Sequence, residues 1–168
     1  MKHIIIRGTG NAGKTTTCGA LYEELKKNAQ FSKLYTNKWE PIDRLQYIEE
    51  EEGERLYDFI AVIIIDGVLI IIISQGDVAG DLEKVLDRLK DLDFLKGITG
   101  GRTDVDYIVC CARSQNREGS TLEMLYNRVS EIHRKEFWAP EKAQDKGKMF
   151  ESKKEIVSEI ATYIKTKQ

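Results

Sequence analysis

"IIIRGTGNAGKTTTCGALYEEL", residues 4–25, decides how the rest of the chain is read. The β-branched run around Ile4, Ile5 and Ile6 favours a strand, and residues 3–7 are read as a buried one. From Lys14 onward the apolar side chains Cys18, Leu21, Tyr22 and Leu25 recur at helical spacing. Between the two elements lie Gly8, Gly10 and Gly13, followed by a cation. Backbone this permissive is needed where successive N–H groups must turn inward around an anion. The positive end of the following helix is aimed at the same point.

Gly8-Thr9-Gly10-Asn11-Ala12-Gly13-Lys14-Thr15 matches G-x-x-x-x-G-K-[ST], the Walker A pattern, in the strand-to-helix setting that the pattern requires. On these residues the chain resembles the P-loop NTPase superfamily. The resemblance implies a nucleotide cup made by Gly8, Thr9, Gly10, Asn11, Ala12, Gly13, Lys14, Thr15 and Thr16. In it Lys14 meets the β- and γ-phosphates, and the Thr15 hydroxyl binds Mg²⁺.

Working outward, residues 33–36 suit a brief strand, and 37–56 are polar and weakly periodic, a mobile lid or a surface helix. "FIAVIIIDGVLIIII", residues 59–73, is interrupted by Asp66-Gly67, a two-residue hairpin signal. Residues 58–65 and 68–74 are therefore expected as antiparallel neighbours, the second covered on both faces. Leu82, Val85, Leu86, Leu89 and Leu92 mark one face of a helix, and "DYIVCCA", 106–112, an interior strand. Ser120 with Glu123, and Ser152 with Glu155, have capping-box spacing before two further helices. "KEFWA", 135–139, is a last short strand. One domain spans 1–168: α/β, with a mostly parallel sheet, one antiparallel hairpin strand and helices on both faces, the three-layer P-loop NTPase fold that the resemblance implies.

P-loop proteins place an acidic residue at the end of a neighbouring apolar strand. Asp66 and Asp77 are the candidates. The predicted hairpin puts Asp66 about 20 Å from the loop at 3.3 Å per residue, whereas Asp77 falls at the carboxyl edge, where ligands of open α/β sheets bind. Asp77 is therefore expected to join Thr15 at the metal. "VIIIDGVLIIIISQGDVAG" also resembles the hairpin and D-x-x-G of Ras-type GTPases, with Gly80 at the position that senses the γ-phosphate. The guanine-reading N-K-x-D of that family is absent after the next strand, so ATP is favoured over GTP.

Arg113 follows a predicted strand at the same edge and is a candidate for transition-state charge; Arg117, Arg102, Arg128 and Arg7 are further arginines, and Thr36 is a candidate switch threonine. The formal charge of −2 with mixed signs gives no footprint for nucleic acid. Cys18, Cys110 and Cys111 lack zinc-ligand spacing and read as buried thiols of a reducing compartment. The apolar runs are too short for a membrane span, and the expected location is the cytoplasm. The sequence predicts an Mg²⁺-dependent P-loop ATPase with catalytic Lys14, Asp77 and Arg113. A kinase passing the γ-phosphate to a small molecule, a nucleotide-gated module acting through an unidentified protein partner, and a GTPase of Ras-like topology are the alternatives.

Overall fold

The structure, a computed structural model, describes residues 1–8, 13–50, 53–113, 115–139 and 151–166. The chain alternates strands and helices: β1 (Lys2–Gly8), α1 (Lys14–Lys26), β2 (Phe31–Thr36), β3 (Pro41–Ile42), β4 (Tyr47–Glu50), β5 (Gly53–Leu56), β6 (Phe59–Ile65) and β7 (Val68–Ile73) come first. Then follow α2 (Ala79–Arg88), α3 (Leu92–Thr99), β8 (Tyr107–Arg113), α4 (Thr121–Arg128), β9 (Arg134–Trp138) and α5 (Lys154–Thr166).

Seven strands form one sheet in the order β3-β2-β6-β7-β8-β1-β9, and β4 pairs with β5 as a separate ribbon. β8 runs parallel to both β7 and β1, and β9 parallel to β1. β6 is antiparallel to both β7 and β2, so β2 points the same way as the parallel group. A second reversed strand, β3, closes the far edge against β2. The expected single antiparallel strand is thus two.

The β6–β7 turn is as the sequence predicts. Asp66 and Gly67 have φ of 51° and 79°, and Ile65 stands opposite Val68. Alternation along β7 divides the core in two. Ile70 and Ile72 join the cluster under α1 and α5, which includes Leu21, Leu25 and Ile160. Leu69, Ile71 and Ile73 join the cluster under α2, α3 and α4, which includes Leu82, Leu95 and Leu122. An uninterrupted Ile/Leu strand is what a sheet covered on both faces requires.

Three local expectations need correction. The described residues of 37–56 hold no helix. They form β3 and the β4–β5 ribbon, which Leu45 and Leu56 anchor to the core beneath α1. The helix starting at residue 79 stops at Arg88, and Asp91 starts a new one, its carboxylate accepting from Asp93 N and Phe94 N. Leu92, the first residue of α3, is consequently exposed. Finally, the Ser120–Glu123 box closes differently: Ser120 Oγ accepts from Glu123 N, but Glu123 reaches back to Gly119 N. Among the described residues no helix is long and apolar enough to cross a membrane.

Candidate functional site

The carboxyl ends of the parallel strands converge beside α1. β1 ends at Gly8, paired in register with Arg113 at the end of β8. Thr9, Gly10, Asn11 and Ala12 lie outside the described residues. Gly13 has φ 77°, a left-handed conformation open to glycine at little cost, and its carbonyl accepts from both the backbone N and Oγ1 of Thr17. The N-cap of α1 is Gly13, which has no side chain to cap it, and the first turn carries no acid, so among the described residues nothing offsets the positive end of the helix. Lys14 is buried and donates from Nζ to Gly8 O at 3.1 Å. Thr16 is also buried.

Asp77 reaches this point by an unexpected route. β7 is not the neighbour of β1, because β8 stands between them. The chain leaving β7 crosses the end of β8 at Gly76, so closely that a Cβ there would lie 2.0 Å from Cys111 O. The crossing delivers Asp77 Oδ1 to 4.0 Å from Lys14 Nζ and 3.4 Å from Arg113 Nε. All three expected catalytic side chains are therefore brought together. The Asp77 carboxylate is more than half exposed, so these pairs are solvent-screened and individually weak.

The Thr15 hydroxyl turns elsewhere. It donates to Asp58 Oδ1 at 3.2 Å, and Ser74 Oγ donates to the same oxygen at 3.1 Å. Ser74 in turn accepts from Phe59 N at 2.8 Å, which fixes the direction of its own proton. Ser74 is buried; Asp58 is exposed. Sequence reasoning missed Asp58 because it searched the carboxyl ends of strands, and Asp58 precedes one. Since β6 is reversed, its start lies at the edge where the parallel strands end. The hairpin register, Ile60 against Ile73, was the signal that places position 58 across from 75.

These groups line a cleft of about 570 Å³ that also takes in Arg55, Tyr57 and Gly76. Arg55 holds Glu50 at 3.0 Å across the β4–β5 ribbon, so that ribbon walls the cleft. Other expectations fall away from it. Asp66 sits at the β6–β7 turn, its N–H bound to Gln30. Arg102 bonds Gly67 O and Asp106, Arg128 bonds Glu83 and Asp87, and Arg7 lies 4.5 Å over the Trp138 ring. Thr36 accepts from Lys38 N and Glu40 N within its own turn. Arg117 is exposed, its backbone N bound to Ser120. Gly80 lies in the first turn of α2.

Cys18 and Cys111 meet below the cleft with Sγ atoms 3.3 Å apart, and all three cysteines are free and buried. The hydrogen bond to Cys111 and burial push the Cys18 thiol well above its ordinary value; burial does the same for Cys110. Such thiols are poor nucleophiles. No family model matches the chain, and neither does any curated protein or solved structure.

Proposed function

We propose that the chain is a small P-loop NTPase that binds ATP in preference to GTP in the cleft at α1 and hydrolyses it with Mg²⁺. The observation that carries this reading is the meeting of Lys14, Thr15, Asp58, Asp77 and Arg113 at a helix start whose N-cap is Gly13, in a chain whose sequence there has the Walker A pattern. A helix start with a buried lysine beside it suits a polyphosphate.

The donor set also suits the metal. Thr15 Oγ1 and Asp58 present hard oxygen atoms on one side of the cleft, and Mg²⁺ is held by one or two carboxylates plus phosphate oxygens. Thr15 and Asp58 would hold the ion, in place of the Thr15–Asp77 pair that the sequence suggested. The bound ion supplies neutralisation of phosphate charge. Lys14 and the loop amides orient the phosphates. Ser74 holds the Asp58 carboxylate in place, and Arg113 faces the charge that develops on the transferred group. Phosphoryl transfer asks little covalent chemistry of the protein, so positioning and electrostatics account for such a site. Asp77, paired with both cations, yields Lys14 to phosphate when nucleotide binds.

A nucleotide-gated module with little turnover is the second reading. It is favoured by the two cleft carboxylates, Asp58 and Asp77, both being already engaged by neighbouring side chains rather than held ready as a base. Calorimetric titration of ATP and GTP with and without Mg²⁺, on wild type and Lys14→Ala, tests the binding. Loss of ATP binding in the variant is expected, and equal binding by both proteins overturns the reading. Phosphate release in the same samples separates the hydrolase from the gated module.

A further inference from the structure

A second cleft adjoins the first across the segment that follows β7. Ser74, Gly76 and Asp77 line the phosphate-loop cleft, whereas Gln75 lines one of about 570 Å³ between α2 and the turn at Asn37–Trp39. Gln75 is 8% exposed, and its carboxamide makes no hydrogen bond among the described residues. Gln75 lines the cleft and keeps a little surface there, so its amide donor and acceptor are open to a molecule that enters. The rest of the lining has a definite sign. Asp81, Lys84, Val85 and Arg88 share one face of α2, and Lys38 faces them from the turn, giving three cations against one carboxylate. None of the three cations has an ion-pair partner among the described residues; Arg88 instead lies 4.4 Å over the Phe94 ring. Trp39 forms the rim. It holds φ at 64°, a costly conformation for a bulky residue, fixed by edge contacts with Tyr35 at 5.4 Å and Phe94 at 4.9 Å.

We propose that this cleft binds a phosphorylated planar heterocycle, the chemistry of a nucleoside monophosphate, as a ligand separate from the triphosphate. The Gln75 carboxamide reads a donor–acceptor edge of the ring, since an amide offers one of each side by side. Lys84 and Arg88 hold the phosphate. Trp39 supplies an apolar wall beside the ring. The assignment does not depend on the Lys14 cup, which lines the other cleft.

Trp39 fluorescence in a Trp138→Phe background gives the readout. The four common nucleoside 5′-monophosphates, the matching nucleosides and inorganic phosphate are titrated without triphosphate or Mg²⁺. The expected result is a saturable signal from at least one monophosphate, bound about tenfold more tightly than its nucleoside or phosphate alone. Gln75→Leu and the pair Lys84→Ala/Arg88→Ala each weaken it by about tenfold, the second also flattening its salt dependence. Gln75→Glu, similar in shape, keeps the fold and also loses affinity by repelling the anion. Lys14→Ala leaves binding unchanged. No saturable signal, binding indifferent to the Gln75 and α2 variants, or binding lost with Lys14→Ala each overturns the proposal, the last by placing the monophosphate in the phosphate loop.

Discussion

Asp58 accepts a hydrogen bond from the Thr15 hydroxyl at 3.2 Å although 43 positions separate them in the chain. The contact ties the first turn of α1 to the start of a reversed strand. Asp77, the acid that the sequence pointed to as the partner of Thr15, has Lys14 and Arg113 as its neighbours instead.

The two carboxylates should therefore respond differently to substitution. Asp58→Ala is expected to lower ATP affinity in the presence of Mg²⁺ by about 10–100-fold, the usual effect of removing a group that orients a metal site. Without Mg²⁺ it should change little. Asp77→Asn should do the opposite, raising Mg²⁺-free affinity by roughly fivefold or less, because a screened carboxylate no longer competes with phosphate for Lys14. Calorimetry on both variants, with and without the ion, checks the pair. Equal Mg²⁺ dependence in Asp58→Ala and wild type would return the metal to Asp77.

Gly76 offers a test of the route by which Asp77 arrives. An added Cβ meets the Cys111 carbonyl oxygen at 2.0 Å and its carbon at 2.5 Å, both backbone atoms of an interior strand that cannot step aside. Gly76→Ala is expected to destabilise by about 3 kcal/mol or more, at or above the usual overpacking range. Gly80, in the first turn of α2, has open space at its Cβ position. Gly80→Ala should be neutral or stabilising by up to about 1 kcal/mol. Urea midpoints of the two variants suffice, and similar values for both would mean that the crossing over β8 is not close.

Much of this was legible from local pattern. The strand, loop and helix of residues 3–25, the Asp66-Gly67 hairpin and the interior strand at 106–112 are each written in short-range periodicity. Strand order is not. That β8 lies between β7 and β1 follows from where helices pack across the sheet, which no window of sequence contains. For the same reason Asp58 was passed over: its place in the cleft depends on β6 being reversed, so that a strand start meets strand ends. The ribbon at 47–56 was obscured because its charged exposed positions hide the anchoring of Leu45 and Leu56.

The Cys18–Cys111 pair makes a chemical prediction. Both Sγ atoms are fully buried between α1 and β8, and the Cys18 proton is held by its neighbour and by burial. A thiol reagent should find essentially no reactive group at neutral pH in the native chain, and all three on unfolding. Labelling followed by mass measurement, with and without denaturant, reads this out. Rapid native modification at position 18 would show that α1 opens from the sheet far more readily than its packing implies.

His3 sets an acid limit on stability. Its ring is 5% exposed, at the end of β1 remote from the phosphate loop, and Nδ1 has no hydrogen-bond partner among the described residues. Burial, with smaller contributions from Arg128 and the amino terminus, lowers its pKa from 6.5 to about 4. The sign follows directly. Above pH 6.5 the ring is neutral in both states and contributes no pH dependence. Between 6.5 and about 4 the unfolded chain takes up a proton that the native one refuses, so stability falls as pH falls. The total is on the order of 3 kcal/mol, most of it lost by pH 4.5. His3→Phe removes the titrating group and keeps an aromatic ring of similar size. The difference between wild-type and His3→Phe unfolding free energies, measured by urea at pH 7 and pH 4.5, should therefore shift by about 2–3 kcal/mol in favour of the variant. An unchanged difference at the two pH values would mean that the His3 ring protonates in the native state as readily as in the unfolded one.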